Sequence, residues 1–379
     1  MSDHKVSLEQ FNGWLKDDSD AAALVMRQWL EPVEGKDAVI FPPTYAKPEG
    51  TKEEEWTGYN IDRFEDGTSV CQIDSVGSQA NRMEPIFKRE RYKHLVPRVI
   101  IKAGEQEVDL LDAGHRAADA IVRFSPDLGP KLHEGFSAFR KNGDAEPLAK
   151  IAPTSIVFGS WDSRATQAKL PRIVRSVIRA YNVKEMHRSA QYTTIAGEIL
   201  EGGDVEVTTK GAKAELGLAH VPSVMTHGGV QVLGDIRRDA ALNFVALRAL
   251  GASSPEQTLK LRRYILGLGL VAFTAPQEGF LREGCHLVPV ENREATWQVV
   301  SHNGNRGELK LSHEEALALA TAAAHAFGVK PSPIEALFNS DLANDVMKLG
   351  EQERKALLKQ GPLTSESIKL AKANKKKSK

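Results

Sequence analysis

The segment SVCQIDSVGSQANR, residues 69–82, decides the fold class that the sequence predicts. Apolar side chains alternate with polar ones over its first six residues, which is typical of a strand. The small side chains from Ser75 to Ser78 then predict a turn and a helix cap. A helix is expected to begin near Gln79 and to end before Pro85, so the segment indicates mixed α and β structure.

A second segment repeats this order further along the chain. Residues 154–158 predict a strand, residues 159–163 (GSWDS) predict a turn, and Pro171 opens a predicted helix that runs to Tyr181. The two segments together favour an α+β fold built from split βαβ units. Elsewhere we predict helices at residues 20–30, 111–124, 237–250 and 254–266, a strand at 97–102, a hairpin at 299–311 and a capped helix from Ser312.

The chain has 379 residues, enough for two or three domains or for one domain with large insertions. Glycines punctuate β-like segments at residues 188–236, which predicts hairpins or loops placed on a scaffold. We therefore expect an irregular N-terminal region at residues 1–68, an α+β domain at 69–330, a helical C-terminal extension at 331–366 and a lysine-rich, disordered tail at 367–379.

Composition places the chain among globular proteins, with 41% hydrophobic and 26% charged residues. Fifty basic and fifty acidic residues cancel, which is unusual for a free nucleic-acid binder. The two signs are segregated along the sequence, however, so a basic groove and an acidic outer surface can coexist.

The cysteine count and the apolar runs favour a cytoplasmic protein. Cys71 and Cys285 lie far apart and have no neighbouring cysteine or histidine pair at metal-ligand spacing. No export leader is recognisable at the N-terminus, and the longest apolar region, residues 264–275, is too short to cross a bilayer. We expect no bound metal, no cofactor and no membrane contact.

The polar turn after the first predicted strand is a candidate phosphate site. Hydroxyl and amide side chains stand there beside free backbone N–H groups at the start of a helix. An ordinary cap and turn is the alternative, in which the serines satisfy only backbone donors. The glycine spacing fits neither a Walker loop nor a dinucleotide fingerprint. The candidate residues are Ser75, Ser78, Gln79, Asn81 and Arg82.

The second predicted helix is strongly basic, and no acidic residue lies between Asp162 and Glu185. As a helix it would align three arginines on one face, and such a face favours an anionic partner over ordinary solvent exposure. Arginine's planar fork suits phosphate in particular. A further basic cluster lies at residues 88–94. The candidate residues of this segment are Trp161, Arg164, Lys169, Arg172, Arg175 and Arg179.

Enzyme signatures are largely missing from the sequence. We find no metalloprotease, thiol-redox, serine-hydrolase or zinc-deaminase motif. Asp74, Asp162 and His115 could serve a metal-dependent ribonuclease or RNA-processing enzyme, but turn aspartates commonly cap backbone N–H groups. We therefore expect no catalytic activity and keep this enzyme as the alternative.

Residues 73–84 and 158–176 resemble, in the same order, two motifs of the Cas-seven backbone proteins of the RAMP superfamily. More narrowly, they are similar to the variant from type I-G systems, formerly called I-U. The resemblance covers about residues 65–330. It implies an RRM-like, ferredoxin-like palm with large finger and thumb insertions, and residues 188–236 are the thumb candidate. Ser78, Gln79 and Arg82 occupy the family's Ser-Gln-basic pattern, which contacts the RNA backbone.

The resemblance also implies a function. Copies of the chain would polymerise along one crRNA as a helical filament, within a type I CRISPR effector (Cascade) complex for antiviral defence. The guide bases would be presented for pairing with target DNA, so that base pairing reads sequence while the protein reads the backbone. The implied partners are crRNA, target DNA through the guide heteroduplex, other copies of the chain and other Cascade subunits.

Overall fold

The computed structural model describes residues 8–47, 49–50, 56, 58–201, 205–330, 332–364 and 366–368. Most of the predicted disordered tail, residues 369–379, therefore lies outside the described residues. The strands are β1 (Ala21–Pro32), β2 (Val39–Ile40), β3 (Ile61–Arg63), β4 (Ser69–Asp74), β5 (Val99–Ala103), β6 (Gln106–Asp109), β7 (Ser160–Trp161), β8 (Lys169–Leu170), β9 (Val174–Tyr181), β10 (Val183–Tyr192), β11 (Val221–Val232), β12 (Ile236–Asn243), β13 (Phe280–Arg282), β14 (Cys285–Pro289), β15 (Thr296–Ser301), β16 (Arg306–Glu308) and β17 (Ile334–Leu337).

Helices of varied length connect these strands and cover them. They are α1 (Leu8–Leu15), α2 (Val76–Met83), α3 (Ala120–Arg123), α4 (Gly129–Asn142), α5 (Glu146–Ala149), α6 (Pro153–Val157), α7 (Ile195–Glu201), α8 (Ala212–Glu215), α9 (Phe244–Arg248), α10 (Pro255–Thr274), α11 (His313–Phe327), α12 (Ser340–Met347) and α13 (Glu351–Gln360). None of the helices in the described ranges is long and apolar enough to span a bilayer.

A mixed α/β architecture is confirmed, and its main element is a nine-stranded antiparallel sheet. The strand order is β13-β14-β1-β12-β9-β4-β3, and β15 pairs with both β1 and β16. The sheet's centre contains β1, β9, β12 and β15 in chain order, with β3 and β4 of the same sheet inserted between the first two and β13 and β14 between the last two. Their spatial order is β15-β1-β12-β9, because β1 pairs with β15 on one edge and with β12 on the other, and β12 pairs with β9. Numbered along the chain, this order is four-one-three-two.

One face of the sheet is packed under helices, with α10 as the central one. The side chain of Leu242 lies so close to Gly269 that a Cβ there would meet it at 2.9 Å. On its other side α10 contacts α11, where Gly267 approaches Ala320. Tyr264 is fully buried and donates a hydrogen bond of 2.8 Å to the carbonyl of Leu95. The longest apolar region of the sequence, residues 264–275, thus lies in the core.

Smaller sheets flank the main one. β10 and β11 form a long antiparallel arm, which β2 joins at its base. Near the other end of the chain β17 pairs in parallel with β5, and β5 also pairs with β6. The predicted C-terminal extension therefore begins with a strand before it becomes helical at α12 and α13.

The helix predicted from Pro171 to Tyr181 is wrong, because these residues form β9. Val174, Val177 and Ile178 are β-branched, which favours a strand. Pairing with β12 on one side and β4 on the other then satisfies the backbone. The helix predicted at residues 20–30 is likewise wrong. It is β1, at the centre of the sheet, so this part of residues 1–68 is not irregular.

Three further predictions need correction. Residues 154–158, which were predicted to form a strand, lie in the buried helix α6 and its C-cap. The sequence is misleading here because a short apolar run has the same pattern in a buried strand and in a buried helix. Residues 237–250 form β12 and then α9, which Asn243 caps. Residues 111–124 contain only 3₁₀ turns and the four-residue helix α3.

Several local predictions are confirmed. β4 and β5 lie where strands were expected. α2 and α10 are present as predicted helices, but α2 begins three residues earlier, at Val76, and α10 runs eight residues further, to Thr274. The hairpin β15–β16 turns at residues 303–305, and α11 begins with the predicted capping box between Ser312 and Glu315. Cys71 and Cys285 are both buried free thiols.

Candidate nucleic-acid interface

An arginine-lined groove crosses the face of the main sheet that the helices leave open. Side chains from β1, β9, β12, β15 and β16 enclose a cavity of about 630 Å³. Four arginines and a single carboxylate line it. These charged residues are Arg27, Arg175, Arg179, Arg306 and Asp239.

Strand geometry explains why these side chains meet. Alternate residues of a strand point to the same face, so Arg175 and Arg179, four residues apart in β9, both enter the groove. In the sheet register Val177 of β9 lies opposite Asp239 of β12, and Asp239 lies opposite Arg27 of β1. The groove therefore runs across three adjacent strands.

The charges in the groove are not balanced. Asp239 accepts from Arg27 at 3.3 Å and from Arg237 at 2.9 Å, so one carboxylate serves two guanidinium groups. Arg175 and Arg179 have no ion-pair partner within the described part of the chain. A cleft with excess positive charge attracts a polyanion.

The first sequence motif is mostly turned inward. Ser75 caps α2 by accepting from the backbone N–H of Ser78 at 3.2 Å, as the ordinary cap-and-turn alternative expected. Gln79 is only 2% exposed; it donates to Asp74 at 2.6 Å and accepts from Ser176 at 2.8 Å. In this arrangement the amide of Gln79 serves a buried polar network and does not face the groove.

Arg82 is also held by protein groups. It donates to Asp74 at 3.1 Å and to the carbonyl of Leu281 at 2.9 Å. Burial raises the pKa of Asp74, although hydrogen bonds from Gln79 and the charge of Arg82 oppose this effect. These contacts give Arg82 a positioning role between α2 and β13.

Arg116 joins the two sequence motifs, although the sequence pattern did not single it out. Its guanidinium donates to Glu84 at 2.6 Å, to Asn81 at 3.2 Å and to the carbonyl of Gly159 at 3.4 Å. It is 6% exposed. No local signal could have found it, because residues 110–122 also contain Asp112, His115 and Asp119.

The second motif builds an exposed basic surface beside the groove. Trp161 is 58% exposed, and the ammonium of Lys169 lies 5.7 Å from its ring. Arg172 donates to the carbonyl of Phe158 at 3.1 Å. Burial and the positive charges of Arg116 and Arg175 lower the pKa of Arg172. Three arginine side chains therefore lie close enough together here to repel one another. Arg164 is exposed nearby in sequence.

The aspartates proposed for the alternative enzyme are engaged by protein groups. Both carboxylate oxygens of Asp162 accept hydrogen bonds, including 2.8 Å from the N–H of Thr166 and 3.3 Å from Arg123. Asp74 is fully buried. Among the residues that the structure describes, no group of three or more histidine, cysteine or acidic side chains could hold a metal ion.

The chain was compared with protein families and with curated proteins. No curated protein matches the chain. Residues 24–185 match the family described as CRISPR-associated protein GSU0053 (Cas_GSU0053). This range contains most of β1, all of β4 and β9, both sequence motifs, and the groove residues Arg175 and Arg179. The match indicates a CRISPR-associated protein family.

Proposed function

We propose that this chain is a crRNA-binding backbone subunit of a type I CRISPR effector complex, of the Cas-seven kind found in type I-G systems. The observation that carries the proposal is the groove, which has four arginines and one shared carboxylate and in which neither Arg175 nor Arg179 has an ion-pair partner among the described residues. Such a surface suits a sugar-phosphate backbone, whose affinity comes mainly from neutralised phosphates. The CRISPR-associated family supports RNA as that polyanion.

Two features of the fold support an RRM-like palm with a thumb. The spatial order four-one-three-two of β1, β9, β12 and β15 is that of ferredoxin-like βαββαβ folds. RRM domains bind RNA on the open face of such a sheet, which is where the groove lies. The arm formed by β10 and β11 leaves the sheet directly after β9 and supports the assignment of residues 188–236 to the thumb.

The proposal assigns the remaining partners by chemistry. A groove that holds only the backbone leaves the guide bases available for pairing with target DNA. Copies of the chain would follow one another along the crRNA in the cytoplasm, with other Cascade subunits at the ends. Arg172 lies near enough to the groove residue Arg175 to feel its charge, and Lys169 packs over Trp161; together they would extend the contact to a second phosphate and a stacked base.

The first test is the salt dependence of RNA binding. We expect Arg175→Ala and Arg179→Ala each to weaken binding about equally for RNAs of different sequence, and to lower the slope of log affinity against log salt by about one unit. Fluorescence anisotropy with two unrelated short RNAs measures this. Arg98→Ala is the matched control, because Arg98 is exposed and lies outside the groove. Unchanged slopes in both groove variants would refute this interface.

We further propose that the chain does not cleave RNA. Both carboxylate oxygens of Asp162 accept hydrogen bonds from neighbouring donors. Asp74 is fully buried and accepts from Gln79 and Arg82 through one oxygen, while its other oxygen has no partner among the described residues, so burial is what keeps this carboxylate away from a metal ion in solution. The assembled complex is therefore expected to leave target RNA intact during incubation with Mg²⁺, as followed on a denaturing gel. Cleavage that disappears in Asp74→Ala or Asp162→Ala would establish the enzyme instead.

A further inference from the structure

A second large cavity lies on the opposite face of the main sheet. It has a volume of about 550 Å³ and is enclosed by α2, β12, the end of α10, β13 and β15. Arg89 and Glu278 both line this cavity and form an ion pair of 2.5 Å. Because both side chains are exposed, this ion pair marks where the cavity opens to solvent. This volume is in the range of pockets that hold small ligands.

A buried cation faces this cavity. Arg238 of β12 is 4% exposed and lines the cavity wall. Its guanidinium donates to the hydroxyl of Ser176 at 3.0 Å and lies 3.6 Å from the sulfur of Met83. It has no ion-pair partner in the described ranges. Burial lowers its pKa to about 10, so it still carries its charge at neutral pH.

A charge in this position is costly without a counter-ion. Removing an ion from water costs several kcal/mol even after the protein relaxes, and buried charges are normally paired. The nearest connected carboxylate, Asp74, is reached only through Ser176 and Gln79. An anionic group bound in the cavity would supply the missing partner.

Other residues that line the cavity indicate which further groups such a ligand would contain. Phe273 and Trp297 line the cavity, with ring centroids 5.8 Å apart, and offer flat apolar surface. The side-chain nitrogen of Gln277 is buried and has no hydrogen-bond partner among the described residues. The cavity thus presents a cation, an aromatic wall and one unused amide donor.

We propose that this cavity binds a nucleoside monophosphate, with the phosphate on Arg238, the base against Trp297 and a base acceptor on Gln277. A single anionic group attached to a flat heterocycle matches all three features. The site lies across the sheet from the arginine groove, so the proposal does not rest on the function assigned to the groove.

Isothermal titration calorimetry of the full chain with AMP tests the proposal. AMP is expected to bind, whereas adenosine and inorganic phosphate, each lacking half of the ligand, should bind at least tenfold more weakly. Arg238→Met should weaken AMP binding by about 10–100-fold, the range for a hydrogen bond to a charged group. Arg175→Ala, on the opposite face, should leave AMP affinity unchanged and so separate this site from the groove.

A second variant covers the case in which Arg238→Met does not fold. Gln277→Leu changes a partly exposed residue beyond the end of α10 and is expected to lower AMP affinity several-fold while preserving the circular dichroism spectrum. Absence of AMP binding to the wild-type chain at millimolar concentration would overturn the proposal. So would an unchanged AMP affinity in Gln277→Leu, or an unchanged AMP affinity in Arg238→Met if that variant folds.

Discussion

Arg116 shows how one residue can hold two distant motifs together. Its backbone adopts a left-handed conformation, with φ of 53°, which is unfavourable for a side chain of this size. The ion pair with Glu84 and the hydrogen bonds to Asn81 and Gly159 offset that cost. Both side chains of the pair are almost fully buried.

Removing Arg116 should therefore destabilise the fold strongly. We expect Arg116→Ala to lower the free energy of unfolding by about 3–5 kcal/mol, because it leaves the carboxylate of Glu84 buried without its partner. Urea unfolding followed by fluorescence measures the change. Arg98→Ala, which removes an exposed guanidinium paired with Asp109, should cost at most about 1 kcal/mol. Equal losses in the two variants would contradict this account.

At the scale of elements, α5 is fastened to the start of α10 by a single carboxylate. Glu146 accepts from Lys150 at 2.6 Å and from the hydroxyl of Ser253 at 2.7 Å. Burial alone would raise the pKa of Glu146, but the hydrogen bonds from Lys150 and Ser253 outweigh it and lower the pKa to about 2.

This shift predicts a dependence of stability on pH. A carboxyl whose pKa is lower in the folded state than its ordinary value of 4.5 stabilises the fold above that value, and the contribution is lost as pH falls towards 2. Glu146→Gln is expected to be about 1–3 kcal/mol less stable at pH 7, with a difference that shrinks below pH 4.5. Urea unfolding at several pH values measures it. Glu134→Gln, an exposed change in α4, should show no such trend.

Local signals allowed some elements to be predicted, and long-range pairing decided the others. The capping box of α11 depends on Ser312 and Glu315 alone, so the sequence reveals it. β9 and β1 owe their conformation to strands far away in sequence, and their helix-like spacing of apolar residues was misleading. Tertiary pairing overrides such weak local preferences.

The same distinction applies to the groove. Arg175 and Arg179 were predictable together, since a spacing of four places side chains on one face in a helix and in a strand alike. Arg27 and Arg306 join them only through strand pairing. Gln79 faces inward because it accepts a hydrogen bond from Ser176. Ser176 lies 97 residues away in sequence, so no local pattern contains this contact.

At the scale of the whole molecule, the arm carries apolar surface that the described parts of the chain leave exposed. Ile195, Ile199 and Leu216 are each more than 70% exposed. None of the residues between 189 and 223 that the structure describes belongs to the two main hydrophobic cores. Exposed apolar patches of this kind are typical of contact surfaces, which fits contact with a neighbouring copy of the chain.

Shortening the arm should separate assembly from folding. Replacing residues 189–223 by a short Gly/Ser turn is expected to change the free energy of unfolding of the rest of the chain by less than about 1 kcal/mol, because no core contact is lost. With crRNA, the number of chains per RNA should fall, as measured by mass photometry. Leu337→Ser, an exposed apolar change elsewhere, is the control. Assemblies of unchanged mass would exclude an arm contact between copies.

The central position of β1 has a consequence during synthesis. β1 ends at Pro32, whereas its neighbour β12 begins at Ile236, and β15 follows later still. At elongation rates of roughly 5–20 residues per second, both edges of β1 stay unpaired on the ribosome for about 10–40 s. An open strand edge can pair with another nascent chain during this time. The yield of correctly folded protein should therefore depend on translation speed and chaperone supply, not only on the stability of the finished sheet.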